Sequence, residues 1–283
     1  EAIKFPNTFY GFLAGQRLGG ANMVVNLPYE PNPVHLRTEF EADPRIRAMH
    51  ILGEAESERF FTQFAFHLDD VLQTQEHLTL LAEISKKYGY MKPSIRAAKQ
   101  ASRFKGMLTE SGYPMPDAIM SLPSKFDKAF VLAIARQESE FNYRAVSHAR
   151  AYGMMQMINA TARTTARKHR IPYSRTRMTR DSKYSANLGA HHLHDLLNDY
   201  NGSYIMAAVA YNAGPTRVKK WIKAYGDPRK GEIDPVDWLE SIPFSETRNY
   251  VQRVLENMQV YRARMNGNTA TNRVYRDITT GAF

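Results

Sequence analysis

Apolar side chains in this chain recur at helical spacing in segment after segment, and that periodicity restricts it to a mainly helical fold. Between Ser57 and Asp70 the residues Phe60, Phe61, Phe64, Ala65 and Leu68 follow it. Between Thr74 and Tyr88 the stripe is Leu80, Leu81, Ile84 and Tyr88, interrupted one turn earlier by His77. A further helix is predicted from Ser94 to about Leu108. These aromatic stripes read as core packing, and their short connections as antiparallel helix pairs. The run Ser111-Gly112-Tyr113-Pro114-Met115-Pro116 ends the pattern, because two prolines beside a glycine cannot continue a helix.

Charge changes at the same place. Residues 1–116 carry 13 Lys/Arg and 13 Asp/Glu, whereas residues 117–283 carry 25 and 15, so the whole excess of +10 lies in the second part. The break therefore separates an all-helical domain, 1–116, from a second domain, 117–267, with a polar, irregular tail over 268–283 that packs back on the body. The second domain holds helices over Phe126–Phe141, around Leu193, Leu196, Leu197 and Tyr200, and over Ser203–Ala213. Gly214-Pro215 stops that last helix and starts another, with Val218, Trp221, Ile222 and Tyr225 on one face. A long final helix begins near Glu246 and carries Tyr250, Val251, Val254, Leu255 and Met258. Trp221 and Trp238 fit either a core or a cleft.

Several function classes are excluded or disfavoured. Cysteine is absent, which removes disulfide scaffolds, thiolate metal sites and cysteine nucleophiles. No apolar run is long enough to span a bilayer. The chain starts at Glu1 without a leader, which fits a removed signal peptide, none at all, or a longer parent. A basic second half fits either an anionic partner or a solubilising surface. The basic run Arg163, Arg167, Lys168, Arg170, Arg175, Arg177 and Arg180 lacks interleaved stacking aromatics, so nucleic-acid binding is disfavoured. His191, His192, His194 and Asp195 have metal-like spacing on one helix, but no further ligand set accompanies them, and a solvated helix face is the preferred reading. No metal or organic cofactor is expected.

The helix over Phe126–Phe141 carries two unlike carboxylates. Phe126, Phe130, Ala133, Ile134 and Phe141 share a face with Gln137, and Glu138 sits at its edge with Ala135, Ile134 and Val131 behind it. Glu140 points elsewhere, solvated or paired with Arg136. Desolvation raises the pKa of a carboxyl, and a carboxylic acid protonated near neutral pH is what general-acid cleavage of a glycoside requires. Helix geometry alone leaves the simpler reading, a boundary glutamate with a wet head group, ahead of this one.

Four motifs change that balance. Arg136-Gln137-Glu138-Ser139, followed by Glu140-Phe141-Asn142, resembles the Glu-Ser signature of soluble lytic transglycosylases. Gly153-Met154-Met155-Gln156 is similar to that family's Gly-Leu-Met-Gln motif, and Ala210-Tyr211-Asn212-Ala213-Gly214 to its third. The stretch from Ile242 to Val251, with Glu246, Thr247 and Tyr250, resembles its fourth. They occur in the family's order, and together they are far more specific than any one alone. A fainter resemblance, over Asn7 to Ala14, is to a stretch that precedes the linker domain of the large periplasmic members.

The resemblance implies a lysozyme-like helical catalytic domain with a small β-hairpin, preceded by a smaller helical linker domain that ends a longer superhelical region; Glu1 would then begin part way through a longer parent. It implies periplasmic cleavage of the β-1,4 bond between N-acetylmuramic acid and N-acetylglucosamine in peptidoglycan, with Glu138 as the single acid/base. Ser139 and Ser147 would lie near the glycan. Gly153 and Gln156 would line the cleft floor above Met155, Tyr211 and Asn212 would face the sugar, and Glu246 and Tyr250 would close the far wall. Met154 replaces the family's usual leucine, Ile158-Asn159 stands where Met-Pro is common, and the stretch from His148 to Tyr152 replaces a smaller, glycine-containing one. The alternatives are a muramidase that hydrolyses the same bond and a non-catalytic peptidoglycan-binding module.

Overall fold

The computed structural model describes residues 1–19, 23–104 and 107–279. They form two compact units, one made of Glu1–Asn26, Pro116–Ser139 and Tyr143–Phe283, the other of Leu27–Met115 with Glu140–Asn142. The fold is mainly α, with only two small antiparallel sheets among the described residues.

The smaller unit is a stack of helices over Val34–Ala42, Pro44–Glu54, Glu58–Val71, Gln75–Lys87 and Met91–Ala101. Local sequence sets their starts. Asp43 accepts from the Arg45 amide ahead of Pro44, and the Thr74 hydroxyl accepts from the His77 amide. The core gathers Phe40, Met49, Phe61, Leu68, Leu78 and Leu81, all nearly or fully inaccessible. Two of the aromatics expected in it, Phe60 and Phe64, are exposed. The stripe on Glu58–Val71 is wider than the face its neighbours cover, so Phe61, Ala65 and Leu68 take the core side. His77, which interrupts the next stripe, fills its gap by stacking near Phe40 with its Nδ1 on the Thr74 hydroxyl. The helix expected over Ser94–Leu108 begins earlier and ends at Ala101; residues 105 and 106 lie outside the described residues.

The larger unit is built around two helices packed together, Lys128–Ser139 and Ser245–Met265. Every residue from Ala129 to Ala135 is buried, so the helix that carries Glu138 is apolar all round at its centre and turns polar only at its last turn. Gln137, expected among the apolar residues, is exposed there. Trp221 and Trp238 are both core residues. Helices over Ser182–Asp199 and Tyr204–Ala213 are started by Asp181 and Ser203, whose side chains accept from backbone amides. Gly214, at φ +89°, ends the second of these, and Pro215 opens the next.

The first 26 residues depart from the expected domain plan. The helix Phe9–Gly19 buries Phe9 and Phe12 in the larger unit, and the Phe9 amide donates to the Glu256 carboxylate. The strand Val24–Asn26 pairs with Thr269–Thr271 from the far end of the sequence. The tail is likewise not irregular: it forms that strand and a helix over Val274–Thr279 whose Val274, Asp277 and Ile278 are buried, while its last four residues lie outside the described ones. The second sheet is a hairpin, Ala151–Tyr152 against Met157–Ile158.

Candidate active site

Glu138 occupies the last turn of its helix, half-buried, with its carboxyl at the wall of a cavity of about 450 Å³. The cavity is lined by Gln156, Ile158 and Thr161 near the hairpin, by Tyr211, Asn212 and Pro215 across the helix stop, and by His192. Tyr250, itself buried, donates from its hydroxyl to Glu138 Oε1 at 2.6 Å. Burial pushes the Glu138 pKa up to about 7, against the opposing pull of the Tyr250 hydrogen bond, which favours the anion. Among the described residues no cation lies within ion-pair distance of Glu138, and it is the one carboxylate lining this cavity.

Glu140, two residues on, has a different fate. It leaves the helix at φ +52°, followed by Phe141 at φ +66°, and pairs with Lys99 at 2.5 Å. Arg136, the partner that the sequence offers as an alternative to solvent, donates to Asn257 Oδ1 at 3.0 Å. Two successive non-glycine residues in the left-handed region are uncommon and cost energy that the surrounding packing must offset.

Hydrogen bonds join the four motifs into a closed ring. Tyr250 reaches Glu138; Ser139 Oγ donates to the Met154 carbonyl at 2.7 Å; the Tyr211 hydroxyl donates to the Met155 carbonyl at 2.5 Å; and Thr247 Oγ1 donates to Asn212 Oδ1 at 2.8 Å. Each bond contributes only about 1 kcal/mol net, but each also fixes the position of a group on the cavity wall. The turn between the hairpin strands explains its own composition. A Cβ on Gly153, at φ +77°, would lie 2.2 Å from the Met178 carbonyl oxygen and 2.5 Å from Ser185 Oγ, so only glycine fits. Ser185 Oγ in turn accepts from the Met154 amide at 3.0 Å. Gln156, at φ +46°, bonds back to the Gly153 and Ala145 carbonyls and turns its remaining surface to the cavity.

The other predicted residues separate into those at the cavity and those behind it. Glu138, Gln156, Tyr211 and Asn212 line it. Met155 is fully buried and packs against Gly189, as a residue beneath the floor does. Gly153 and Ser139 shape the wall from behind. Ser147 holds a turn, accepting from the Ala151 amide at 3.0 Å. Tyr250 touches Glu138 directly rather than forming a far wall. Glu246 is exposed and lines a second cavity of about 410 Å³, with Arg217, Phe244 and Thr247, which meets the first at Asn212. Sequence reasoning named Thr247 within the fourth motif and His192 among the clustered histidines without assigning either to the site, and it missed Thr161 and Arg217, which carry no distinctive local signal.

The histidines form a half-buried face rather than a fully solvated one. Phe126 meets the rings of His191 and His194 edge-on, at 4.9 and 5.8 Å, and His169 lies 4.1 Å from His191 while bonding Asp195. Burial lowers the pKa of both His191 and His192 to about 4. No group of three or more candidate ligands able to hold a metal ion occurs among the described residues.

Comparison with known proteins places this arrangement. Residues 121–233 match the transglycosylase SLT domain, and residues 241–269 match the soluble lytic transglycosylase helical domain. The chain belongs to the soluble lytic transglycosylase family. The soluble lytic murein transglycosylase of Escherichia coli K12 is 39% identical over 136 residues, covering 48% of this chain and 20% of the relative. The Salmonella typhimurium enzyme is 38% identical over 136 residues, with the same coverage. Among solved structures, the 70 kDa soluble lytic transglycosylase of E. coli superposes with a TM-score of 0.79 at 26% identity, over 94% of this chain and 42% of that one. An inactive mutant of the Pseudomonas aeruginosa lytic transglycosylase gives 0.75 at 28% identity, over 92% and 42%. The chain thus spans about a fifth of the length of the curated relatives it matches and two fifths of these solved family members.

Proposed function

We propose that this chain cleaves peptidoglycan glycan strands as a lytic transglycosylase, with Glu138 as the single acid/base. The observation that carries the reading is a carboxyl in a cavity wall, dry enough to keep its proton near pH 7 and held by a phenol rather than by a cation. The names of its relatives, which describe them as acting on murein, point the same way.

The chemistry follows from having one such group. Protonated Glu138 gives its proton to the oxygen joining N-acetylmuramic acid to N-acetylglucosamine, and the C1–O bond breaks. The muramoyl acetamido oxygen bonds to C1 and takes up the positive charge, as in substrate-assisted glycosidases. Glu138, now a carboxylate that accepts from Tyr250, removes the proton of the muramoyl C6 hydroxyl. That oxygen attacks C1, displaces the acetamido oxygen and closes a 1,6-anhydro ring, so no water is consumed. An inverting hydrolase needs a second carboxylate to activate water; none lines this cavity among the described residues. Gln156, Tyr211 and Asn212 orient the sugar, and Ser139, Ser147, Gly153 and Met155 hold the wall that positions them. The site would work in the periplasm, where peptidoglycan lies.

Mass spectrometry of the products from purified cell wall tests the reading. Muropeptides with 1,6-anhydro ends are the expected result. Reducing ends would make the chain a muramidase, and binding without any release would make it a non-catalytic module.

A further inference from the structure

The cavity around Glu138 has one wall that none of the four motifs supplies. It comes from the helix Ser182–Asp199, which brings His192 to the lining. The imidazole lies beside Tyr211, with ring centroids 5.4 Å apart, and the hydroxyl of that tyrosine is tied to the cavity floor at the Met155 carbonyl. Among the described residues no protein group hydrogen-bonds either ring nitrogen of His192. Neither nitrogen is sealed from solvent, unlike Nδ1 of the adjacent His191, which is buried without a partner.

Two of the other polar lining groups are partly committed. Gln156 donates to two carbonyls, and Asn212 Oδ1 accepts from Thr247. His192 keeps both nitrogens free. Burial holds the ring neutral, so it offers one acceptor and one donor at the pH where Glu138 holds its proton. An N-acetylated sugar presents the matching groups, an amide N–H and carbonyl together with hydroxyls. A neutral imidazole meets them without placing a second charge beside Glu138.

We propose that His192 is a substrate-binding residue of this site, hydrogen-bonding the polar substituents of an N-acetylated hexosamine in the Glu138 cavity. The proposal rests on the glycan reading given above. Its test uses the Glu138→Gln chain, which binds without turnover, and a peptide-free tetrasaccharide of alternating N-acetylglucosamine and N-acetylmuramic acid, with affinity measured by calorimetry. Adding His192→Phe should weaken binding about tenfold, the usual size for one buried hydrogen bond. Adding His192→Gln, which restores a donor and an acceptor, should return affinity to within about threefold of the parent. Equal affinity for all three proteins overturns the role of His192 and leaves the glycan reading intact. So does a His192→Gln chain that keeps the parental melting temperature yet binds no better than His192→Phe. If the Glu138→Gln chain itself fails to bind the tetrasaccharide and the unmodified chain releases no anhydro product, the glycan reading falls and this inference with it.

Discussion

Each unit of this molecule places a carboxyl in a confined position on a helix, and the two treat it in opposite ways. In the smaller unit Asp69, with its side chain 1% exposed, takes a guanidinium N–H from Arg96 at 2.6 Å. In the larger unit Glu138 meets no cation among the described residues, only the Tyr250 hydroxyl. Burial raises the Asp69 pKa and the Arg96 guanidinium pulls against that rise, so the pair acts as a structural tie. A carboxyl that is desolvated but not countered holds its proton loosely near neutral pH, which is useful only to a reaction. The contrast locates chemistry more sharply than burial alone does, since burial is common to both.

The largest effect that tests this contrast is on turnover. Glu138→Gln should reduce muropeptide release by about 10²–10⁴-fold while far-ultraviolet circular dichroism stays unchanged; release within tenfold of the parent would remove Glu138 from the mechanism. Next comes the structural acid. Arg96→Met strands the Asp69 charge and should cost about 3 kcal/mol in urea unfolding at pH 7, at the low end for a broken buried pair because Arg96 is 35% exposed.

The same measurement on Glu138→Gln should give the opposite sign. The folded pKa of about 7 lies above the ordinary carboxyl value of 4.5. The parent chain therefore loses stability as pH rises from the lower value through the higher, and glutamine does not. At pH 8 the variant should be the more stable by about 2–3 kcal/mol, with the difference vanishing below pH 4.5. A variant less stable at pH 8 would mean that Glu138 is a structural acid like Asp69. The smallest effect is on the alkaline limb of the activity profile, which should fall above about pH 7 as Glu138 loses its proton. Tyr250→Phe removes a donor that favours the anion, so the limb should move to higher pH by up to about one unit. A downward shift would contradict the geometry.

Much of this was legible in the sequence because it is local. Helical spacing marks the helices, Gly214-Pro215 marks a stop and a start, and the four motifs list residues that the fold joins by hydrogen bonds. What was not legible is long-range or lies in backbone shape. Strands of three residues, Val24–Asn26 and Thr269–Thr271, carry no usable alternation, so nothing local assigns the first 26 residues to the larger unit. Glu140 and Phe141 adopt positive φ without the glycine that would announce it. Phe60 and Phe64 obey the helical period but face outward, because periodicity says which residues share a face and not how wide a partner covers it. His192 sits in a stretch whose neighbours suggest a wet surface, and only the tertiary fold turns it into the cavity.

The pairing of Val24–Asn26 with Thr269–Thr271 also bears on how the chain is made. The two strands lie some 245 positions apart, so synthesis must deliver the second long after the first has left the ribosome. Until then the first strand presents unpaired backbone edges, and its ends can meet only by closing a very large loop. Closure of the larger unit therefore waits for the last part of the chain to be made, and a chain truncated before position 269 would have all four motifs but an unfinished seam.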